Sequence, residues 1–190
     1  MKILTIGTNG FLGSWVHKLL QSEHSNFEIL EIPGKEECDL TEFSEISDYL
    51  KEKSPDVVIN CAAFVGGISY GYKYPVEMLS KNSLMAMNIY KASNDNGVKK
   101  LINPISNCAY PAEFTTYKEE DIFNGPPDKS VFNYALSKRL FIQLGQAYFD
   151  QYTFSSANVV LSNMYGPGDH FYAERSHALG AIIKKICDAK

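Results

Sequence analysis

The chain has 190 residues, of which 45% are hydrophobic and 21% are charged, and its formal net charge is −4. This composition is typical of a globular protein with one sizeable core. The sequence contains no Lys/Arg run or basic stripe, so we do not expect nucleic acid as a partner. No apolar stretch approaches the roughly 18 residues of a membrane-spanning helix and no signal-peptide pattern opens the chain, so we expect no membrane insertion.

The cysteines are widely spaced and show no C-x-x-C pattern. This spacing favours free thiols in a reducing cytosol, for at least three of the four, over a disulfide framework. We therefore predict a cytoplasmic protein and no metal site. The cysteines are Cys38, Cys61, Cys108 and Cys187.

Apolar runs of strand length alternate along the chain with segments of helical spacing. The predicted strands are 2–6, 27–32, 56–61, 100–105 and 154–161, and the predicted helices are 11–20, 41–53, 75–96, 131–152 and 175–189. Thr41 is the expected N-cap of the second helix, and Gly97 the expected C′ residue of the third. Residues 111–129 are rich in Pro, Gly and charge, which predicts a loop over a site.

This alternation predicts an α/β fold, a Rossmann-type doubly wound parallel sheet forming one domain over residues 1–190. Ligands of such sheets bind beyond the carboxyl ends of the strands. Segments 7–13, 62–68, 106–110 and 163–169 follow predicted strands and should converge there.

The first of these segments is a G-x-x-G-x-x-G turn between a strand and a helix. Its glycines allow close approach to a pyrophosphate, and the helix N-terminus supplies amides and partial positive charge. We predict that it binds the cofactor NADP(H) or NAD(H). The predicted contacts are Gly7, Thr8, Asn9, Gly10, Phe11, Leu12 and Gly13.

Residues near the end of the second strand leave the choice of cofactor open. Glu31 can accept hydrogen bonds from the adenosine ribose, which favours NAD, whereas Lys35 can pair with a 2′-phosphate, which favours NADP. Asp39 and Leu40 stand where the adenine would lie, although a turn that leads into the next helix explains them equally well.

Tyr134 and Lys138 are four residues apart in the predicted helix 131–152 and should share one face. An ammonium in that position favours the phenolate and should lower the tyrosine pKa toward neutrality. A tyrosine tuned in this way exchanges a proton with a carbonyl or an alcohol. This spacing is common and is weak evidence for a catalytic pair by itself. The glycine turn strengthens the evidence, because it predicts a nicotinamide cofactor in the same fold.

Together these residues resemble the extended short-chain dehydrogenase/reductase superfamily, and further motifs resemble the GDP-L-fucose synthases. The motifs are Ala62-Ala63-Phe64-Val65-Gly66-Gly67-Ile68 with Tyr74-Pro75 and Asn82, Ser106-Asn107-Cys108-Ala109-Tyr110-Pro111, and Asn163-Met164-Tyr165-Gly166-Pro167 with Ser176-His177. The resemblance covers nearly the whole chain. It implies epimerisation of a GDP-4-keto-6-deoxy sugar followed by NADPH-dependent reduction at C4.

The resemblance also implies a role for each catalytic residue. Ser106 would hydrogen-bond the keto oxygen, Tyr134 would protonate it, and Lys138 would hold the nicotinamide ribose and tune Tyr134. Cys108 and His177 match the pair that moves protons α to the carbonyl, and the reference pKa values of a thiol and an imidazole lie on either side of neutrality. The alternatives are structural: Ser106 would cap the end of the fourth strand, Cys108 would be a buried apolar residue, and His177 would make hydrogen bonds at a helix start.

The remaining predicted contacts rest on the same resemblance, with structural roles as the alternatives. A solvated helix face explains Lys185 as well as a diphosphate contact does. The further cofactor contacts are Ala62, Ala63, Asn82, Leu161, Asn163, Met164 and His177, and the substrate contacts are Val65, Gly66, Gly67, Asn163 and Lys185.

The sequence departs from the family pattern in two places. Family members usually have Gly-Ser-Ser before the cysteine, whereas this chain has Ile105-Ser106-Asn107. They also run to about twice the length expected of one domain, while this sequence stops at Lys190, so most of the C-terminal substrate domain should be lacking. The alternatives are therefore a related 4-keto sugar or heptose epimerase/reductase, or a shortened non-catalytic NAD(P)-binding module.

The expected partners are a nucleotide-diphosphate sugar, GDP-linked by preference, and a second copy of the chain. In the superfamily the two long helices, here 75–96 and 131–152, pair into a four-helix dimer interface. The sequence does not separate interface from core among Met78, Leu84, Met85 and Met87.

Overall fold

A computed structural model of the chain describes residues 1–24, 26–169 and 178–189. Five strands and six α-helices alternate in it. The strands are β1 (Lys2–Ile6), β2 (Glu28–Ile32), β3 (Val57–Asn60), β4 (Lys100–Ser106) and β5 (Ser156–Leu161). The helices are α1 (Phe11–Glu23), α2 (Phe43–Lys53), α3 (Ile68–Lys73), α4 (Pro75–Asp95), α5 (Phe132–Tyr152) and α6 (Ala178–Asp188).

All strand pairs are parallel, and the sheet order is β2-β1-β3-β4-β5. The chain moves outward from β1 to β2 and then returns past β1 to β3. Because such crossovers are right-handed, this reversal puts α1 on one face of the sheet and α2, α4 and α5 on the other. It also opens a crevice at the carboxyl ends of β1 and β3, where doubly wound sheets bind ligands. The predicted fold class is confirmed.

The core lies between the sheet and the layer formed by α2, α4 and α5. Leu4, Val58 and Leu101 on three neighbouring strands are fully buried, and Ile89 on α4 packs in the same cluster. Burying such apolar surface contributes about 25 cal/mol per Å² and is the main force that holds these layers together.

A buried polar network lies under α5, near the start of β5. The Tyr90 hydroxyl contacts Ser156 Oγ at 3.3 Å and Asn158 Oδ1 at 3.4 Å, and Asn103 Nδ2 donates to Tyr90 at 3.1 Å. A Cβ on Gly145 would lie 2.7 Å from Ser156 Oγ. A glycine therefore lets the helix approach this network closely.

Local signals explain the ends of α4. Pro75 starts the helix, where its fixed φ and missing N–H are tolerated, and Gly97 follows with φ of 73°. The prediction of Gly97 at C′ is confirmed. The prediction of Thr41 as an N-cap is wrong, because α2 begins two residues later and Thr41 instead donates from its N–H and its hydroxyl to Asp39 Oδ1.

The helix α3 was missed by the sequence reasoning. It has six residues and contains Gly71, so it lacks the long apolar periodicity that predicts a helix. Its usable signal is Tyr70 and Tyr74, four residues apart, whose ring centroids lie 4.7 Å from each other. The 111–129 loop prediction is confirmed: its regular structure is the 3₁₀ turn Glu119–Asp121 and the first residue of Lys129–Val131.

The predicted helix 175–189 is described from Ala178 onward, and its first residues lie outside the described part of the chain. Across the residues that the structure describes, no helix is both long and apolar enough to cross a membrane.

Candidate active site

The glycine turn leaves β1 and leads into α1 with almost no space for side chains. Gly7 has φ of +83°, and a Cβ on it would lie 2.9 Å from the Ala62 amide nitrogen. A Cβ on Gly13 would lie 2.1 Å from the Gly7 carbonyl oxygen. Both positions therefore require glycine, because any other residue would displace backbone from backbone.

The N-terminus of α1 is open to an anion. Within the described chain, no side chain caps this helix and its first turn holds no acidic residue. The first amides of a helix lack intrahelical partners, and the helix dipole adds partial positive charge there. This bare glycine cradle fits the pyrophosphate of a dinucleotide. Asn9, Gly10, Phe11 and Leu12 lie in the cradle where the sequence predicts them.

Glu31, near the end of β2, is turned back toward the glycine turn. The Thr8 hydroxyl donates to Glu31 Oε2 at 2.6 Å, and His17 Nε2 of α1 lies 3.7 Å from the same oxygen. Thr8 and His17 are buried, whereas the Glu31 side chain is 47% exposed. This arrangement holds a carboxylate beside the turn. Sequence reasoning missed His17, which lies in the middle of α1 outside any motif.

Lys35 is paired within its own loop. Its Nζ lies 2.8 Å from Asp39 Oδ2, and this contact holds the pKa of Asp39 at about 2. Asp39 also accepts from Thr41, while Leu40 is buried and its carbonyl accepts from Asn88. These are contacts of the turn that leads into α2, and the cofactor roles of Lys35, Asp39 and Leu40 stay predictions.

Asn82 fixes the segment that follows β3. Its Oδ1 accepts from the Phe64 amide at 2.9 Å, and its Nδ2 donates to the carbonyls of Phe64 and Met78. The side chain is 1% exposed and holds the backbone of Phe64, and its predicted cofactor contact stays a prediction.

The residues on either side of Phe64 line the same segment. Ala62 and Ala63 precede it, and Val65, Gly66 and Gly67 follow it, all partly buried. A Cβ on Gly66 would lie 2.6 Å from the Tyr70 ring, which explains a glycine at that position.

Ser106 and Cys108 lie where β4 ends. Ser106 is the last residue of the strand, and its Oγ accepts from the Cys108 amide at 3.2 Å, capping the 3₁₀ turn Asn107–Ala109. Ser106 therefore caps this turn as an acceptor, which leaves its hydroxyl hydrogen free to be donated elsewhere.

Tyr134 and Lys138 share a face of α5, as predicted, and that helix packs against the turn that carries Cys108. Lys138 Nζ lies 5.6 Å from the centroid of the Tyr134 ring and donates to the Pro104 carbonyl at 3.4 Å. Pro104 lies two residues before Ser106 on β4. The structure thus brings the four predicted groups Ser106, Cys108, Tyr134 and Lys138 to one place.

The pKa values at this site differ from the prediction. Burial raises the pKa of Tyr134 above its usual value, and the nearby Cys108 raises it further. The predicted lowering of the Tyr134 pKa is wrong for the chain by itself, because the cost of burying a phenolate dominates. Burial also lowers the pKa of Lys138 to about 8, opposed by Cys61, whose own pKa burial raises to about 11. Tyr134 is therefore protonated at neutral pH.

The segment after β5 crosses back over the sheet edge to the glycine turn. Leu161 pairs in register with Ser106, and Asn163 and Met164 follow it. A cavity of about 350 Å³ lies between this segment and α1. Trp15 Nε1 of α1 donates to the Pro167 carbonyl at 2.9 Å and ties the two together. The cavity lining comprises Phe11, Leu12, Trp15, Asn163, Met164, Tyr165, Gly166 and Pro167.

The last two predicted site residues are His177 and Lys185. His177 lies outside the described residues. Lys185 is exposed on α6, and its neighbour Lys184 pairs with Asp188 at 2.9 Å, as expected of a solvated helix face.

The sheet is parallel, and its glycine cradle follows β1, where the strand order reverses. The Tyr–Lys pair lies on α5, which packs against β4. These features together define a dinucleotide-binding α/β domain. Residues 3–190 match the NAD dependent epimerase/dehydratase family, and the chain belongs to that family.

Proteins similar to this chain are named as synthases of GDP-linked sugars. The chain is 34% identical over 192 residues to the GDP-L-colitose synthase of Yersinia pseudotuberculosis, covering 100% of this chain and 61% of that protein. It is 35% identical over 187 residues to the GDP-L-fucose synthase of Azorhizobium caulinodans, covering 97% of this chain and 59% of that protein. The chain thus spans about 60% of the length of these relatives.

Solved structures similar to this chain are also named for the synthesis of GDP-linked sugars. A GDP-L-fucose synthetase of Naegleria fowleri bound to NADP is 29% identical with a TM-score of 0.88, over 99% of this chain and 62% of that one. A GDP-D-glycero-L-gluco-heptose synthase of Campylobacter jejuni, crystallised in the presence of NADPH, is 25% identical with a TM-score of 0.89, over 97% of this chain and 54% of that one.

Proposed function

We propose that this chain is the NAD(P)-binding and catalytic domain of a nucleotide-sugar epimerase/reductase acting on a GDP-4-keto-6-deoxy sugar, as in GDP-L-fucose synthesis. One observation carries the proposal: α5 holds Tyr134 and Lys138 against the end of β4, where Ser106 lies, and against the turn that carries Cys108. The names of the relatives support the GDP-linked sugar.

The cofactor would lie across the crevice between the glycine turn and α5. The amides of α1 would hold the pyrophosphate, Glu31 lies toward the adenosine ribose, and Asn163 and Met164 toward the nicotinamide. The nicotinamide ring, when bound, supplies the hydride for reduction. Solved relatives with NADP(H) support a nicotinamide cofactor.

In the reduction, Tyr134 gives its proton to the keto oxygen as the carbonyl carbon becomes an alcohol carbon. Ser106 donates a hydrogen bond to the same oxygen and stabilises the charge that develops there. The ammonium of Lys138 stabilises the phenolate left on Tyr134 and holds the nicotinamide ribose. The raised pKa of Tyr134 keeps the proton in place until this step.

In the epimerisation, one group removes a proton from the carbon next to the carbonyl and another returns a proton to the opposite face. We assign Cys108 and His177 to these tasks. Ser106 and Tyr134 stabilise the enolate oxygen formed in between, so both half-reactions use one oxyanion site.

The test is incubation of the purified chain with GDP-4-keto-6-deoxymannose and NADPH or NADH in deuterated water. We expect cofactor oxidation, read by absorbance, and deuterium in the product, read by mass spectrometry. Cys108→Ser should abolish deuterium uptake and leave cofactor binding unchanged. If a chain that binds cofactor shows neither signal, a non-catalytic NAD(P)-binding module is the function that remains.

A related 4-keto sugar or heptose epimerase/reductase is the second candidate. The heptose synthase of Campylobacter jejuni among the structural relatives favours it, as do Ile105 and Asn107, which depart from the usual family residues on either side of Ser106. A panel of GDP-linked and dTDP-linked 4-keto sugars distinguishes the two by relative kcat/KM.

We also propose a cytoplasmic homodimer formed through α4 and α5. The structure divides the four candidate side chains of α4: Met78 is buried and Met85 packs against the core, whereas Leu84 and Met87 are 41% and 43% exposed. Leu84 and Met87 therefore support an interface that the core does not use.

A further inference from the structure

The side chain of Arg139 links three parts of the site. It follows Lys138 on α5 and is partly buried. Its Nε donates to the Ala109 carbonyl at 2.7 Å, and its Nη2 donates to the Gly125 carbonyl at 2.8 Å. The guanidinium carbon also lies 5.8 Å from the centre of the Phe123 ring.

The two carbonyl groups that accept hydrogen bonds from Arg139 lie at opposite ends of one loop. Ala109 ends the 3₁₀ turn that carries Cys108, and Gly125 closes the loop that follows. The Ala112 amide donates to the Pro126 carbonyl at 3.0 Å, and a Cβ on Gly125 would lie 3.2 Å from Pro111. The ends of the loop are therefore close together, and one guanidinium joins both of them to α5.

The charge of Arg139 is directed at these carbonyls. In the described part of the chain, no carboxylate forms an ion pair with it, and burial lowers its pKa. A guanidinium remains charged in proteins and presents its donors in a rigid fork. Hydrogen bonds from charged donors are stronger than those between neutral groups, so the fork holds the turn more firmly than neutral contacts would.

We propose that Arg139 is a positioning residue that sets the Cys108 thiol against Tyr134. Ser106 belongs to β4 and is held by the sheet, whereas Cys108 lies beyond the strand in a turn held by Ser106 at one end and by Arg139 at the other. Loss of the fork therefore releases Cys108 and leaves Ser106, Tyr134 and Lys138 in place. The consequence for catalysis rests on the proposed function, but the positioning itself does not.

The test measures how fast each cysteine reacts with iodoacetamide in the native protein, by peptide mass spectrometry. The variants are Arg139→Lys, which keeps the charge and loses the fork, and Arg139→Gln. We expect the Cys108 rate to rise about fivefold or more in both, while Cys38 and Cys61 remain slow and exposed Cys187 serves as the internal standard. Tyr90→Phe is the matched control, because it destabilises the core through a different network.

Two outcomes would overturn the proposal. An unchanged Cys108 rate would show that the fork does not hold the turn. A parallel rise at Cys38, Cys61 and Cys108 would show general loosening, as Tyr90→Phe would also produce.

In protein that turns over a sugar nucleotide, Arg139→Lys should reduce deuterium uptake at least fivefold more than hydride transfer. A chain with no activity would refute the proposed function and leave the alkylation result intact.

Discussion

Tyr134 is the residue on which the proposed reduction depends most. Tyr134→Phe removes the proton donor and keeps the ring, so we expect hydride transfer to fall by about 10²–10⁴-fold with cofactor affinity unchanged. Stopped-flow absorbance measures the first quantity and calorimetry the second. Tyr152→Phe, an exposed tyrosine on the same helix, is the control. Equal loss of cofactor binding in Tyr134→Phe would contradict a role limited to proton transfer.

The buried ammonium of Lys138 lowers the stability of the fold at neutral pH. Its folded pKa of about 8 lies below the reference value of 10.5, so burying the ammonium destabilises the fold. This cost is fully present below pH 8, fades as the pH rises through the window from 8 to 10.5, and is absent above it. Lys138→Met should therefore raise the free energy of unfolding by on the order of 2–3 kcal/mol at pH 7 and much less near pH 10.5. Urea denaturation at both pH values measures the difference, and an equal gain at both would contradict the pKa shift.

Glu31 should influence which cofactor the chain prefers. Thr8 and His17 hold its carboxylate beside the turn, where it would repel a 2′-phosphate. Glu31→Gln removes the charge and keeps the shape, so we expect the NADPH to NADH affinity ratio to rise about tenfold, equal to about 1.4 kcal/mol. Titration with each cofactor measures the ratio, and Glu28→Gln at the start of the same strand is the control. An unchanged ratio would place Glu31 away from the ribose.

For single residues, the sequence predicted which side chains form the site better than it predicted their pKa values. The spacing of Tyr134 and Lys138 on one helix was enough to place them together. The direction of the Tyr134 pKa was not predictable, because it depends on burial by strands and loops distant in sequence. His17 was missed for the same reason: its contact with Glu31 arises only when α1 packs beside β2.

Among the elements, the glycine turn makes the sharpest prediction. In Gly13→Ala the new Cβ would meet the Gly7 carbonyl, so the turn must open and we expect a loss of about 1–3 kcal/mol in stability together with loss of cofactor binding. Thermal unfolding and calorimetry measure the two effects. Gly71→Ala is the matched control, because its nearest atom would be 3.9 Å away. Retained cofactor affinity in Gly13→Ala would contradict a cradle built on close backbone contact.

Element boundaries followed the strength of local signals. Pro75 and Gly97 act on the backbone directly, and the ends predicted from them were accurate within a residue. Thr41 was assigned as a cap from its residue type, but its hydroxyl donates to Asp39 Oδ1 and α2 begins only at Phe43. In α3 the Tyr70 ring packs over Gly66, a contact that hydrophobic periodicity does not reveal.

For the whole molecule, the exposed side chains of α4 predict the assembly. Leu84→Lys combined with Met87→Lys would place two charges in the proposed interface, and we expect the dimer to dissociate because neither ammonium would find a partner there. Light scattering after size exclusion measures the mass. Leu19→Lys, on the exposed face of α1, is the control. A monomeric unmodified chain would contradict the dimer.

The alternating pattern and the rule of right-handed crossovers were sufficient to predict the fold class, a parallel sheet with helices on both faces. The cavity beside α1 was not predictable in the same way. It depends on the segment after β5 crossing the sheet edge to reach Trp15, a contact between residues 152 positions apart.

That contact gives the molecule an optical reporter. Trp15 is the only tryptophan in the sequence, it is 48% exposed, and it lines a cavity together with the proposed cofactor contacts Phe11, Leu12, Asn163 and Met164. Tryptophan emission overlaps the absorption of a reduced nicotinamide, so binding should quench the fluorescence of the unlabelled chain by energy transfer. Every variant above can thus be examined for cofactor occupancy without a sugar substrate.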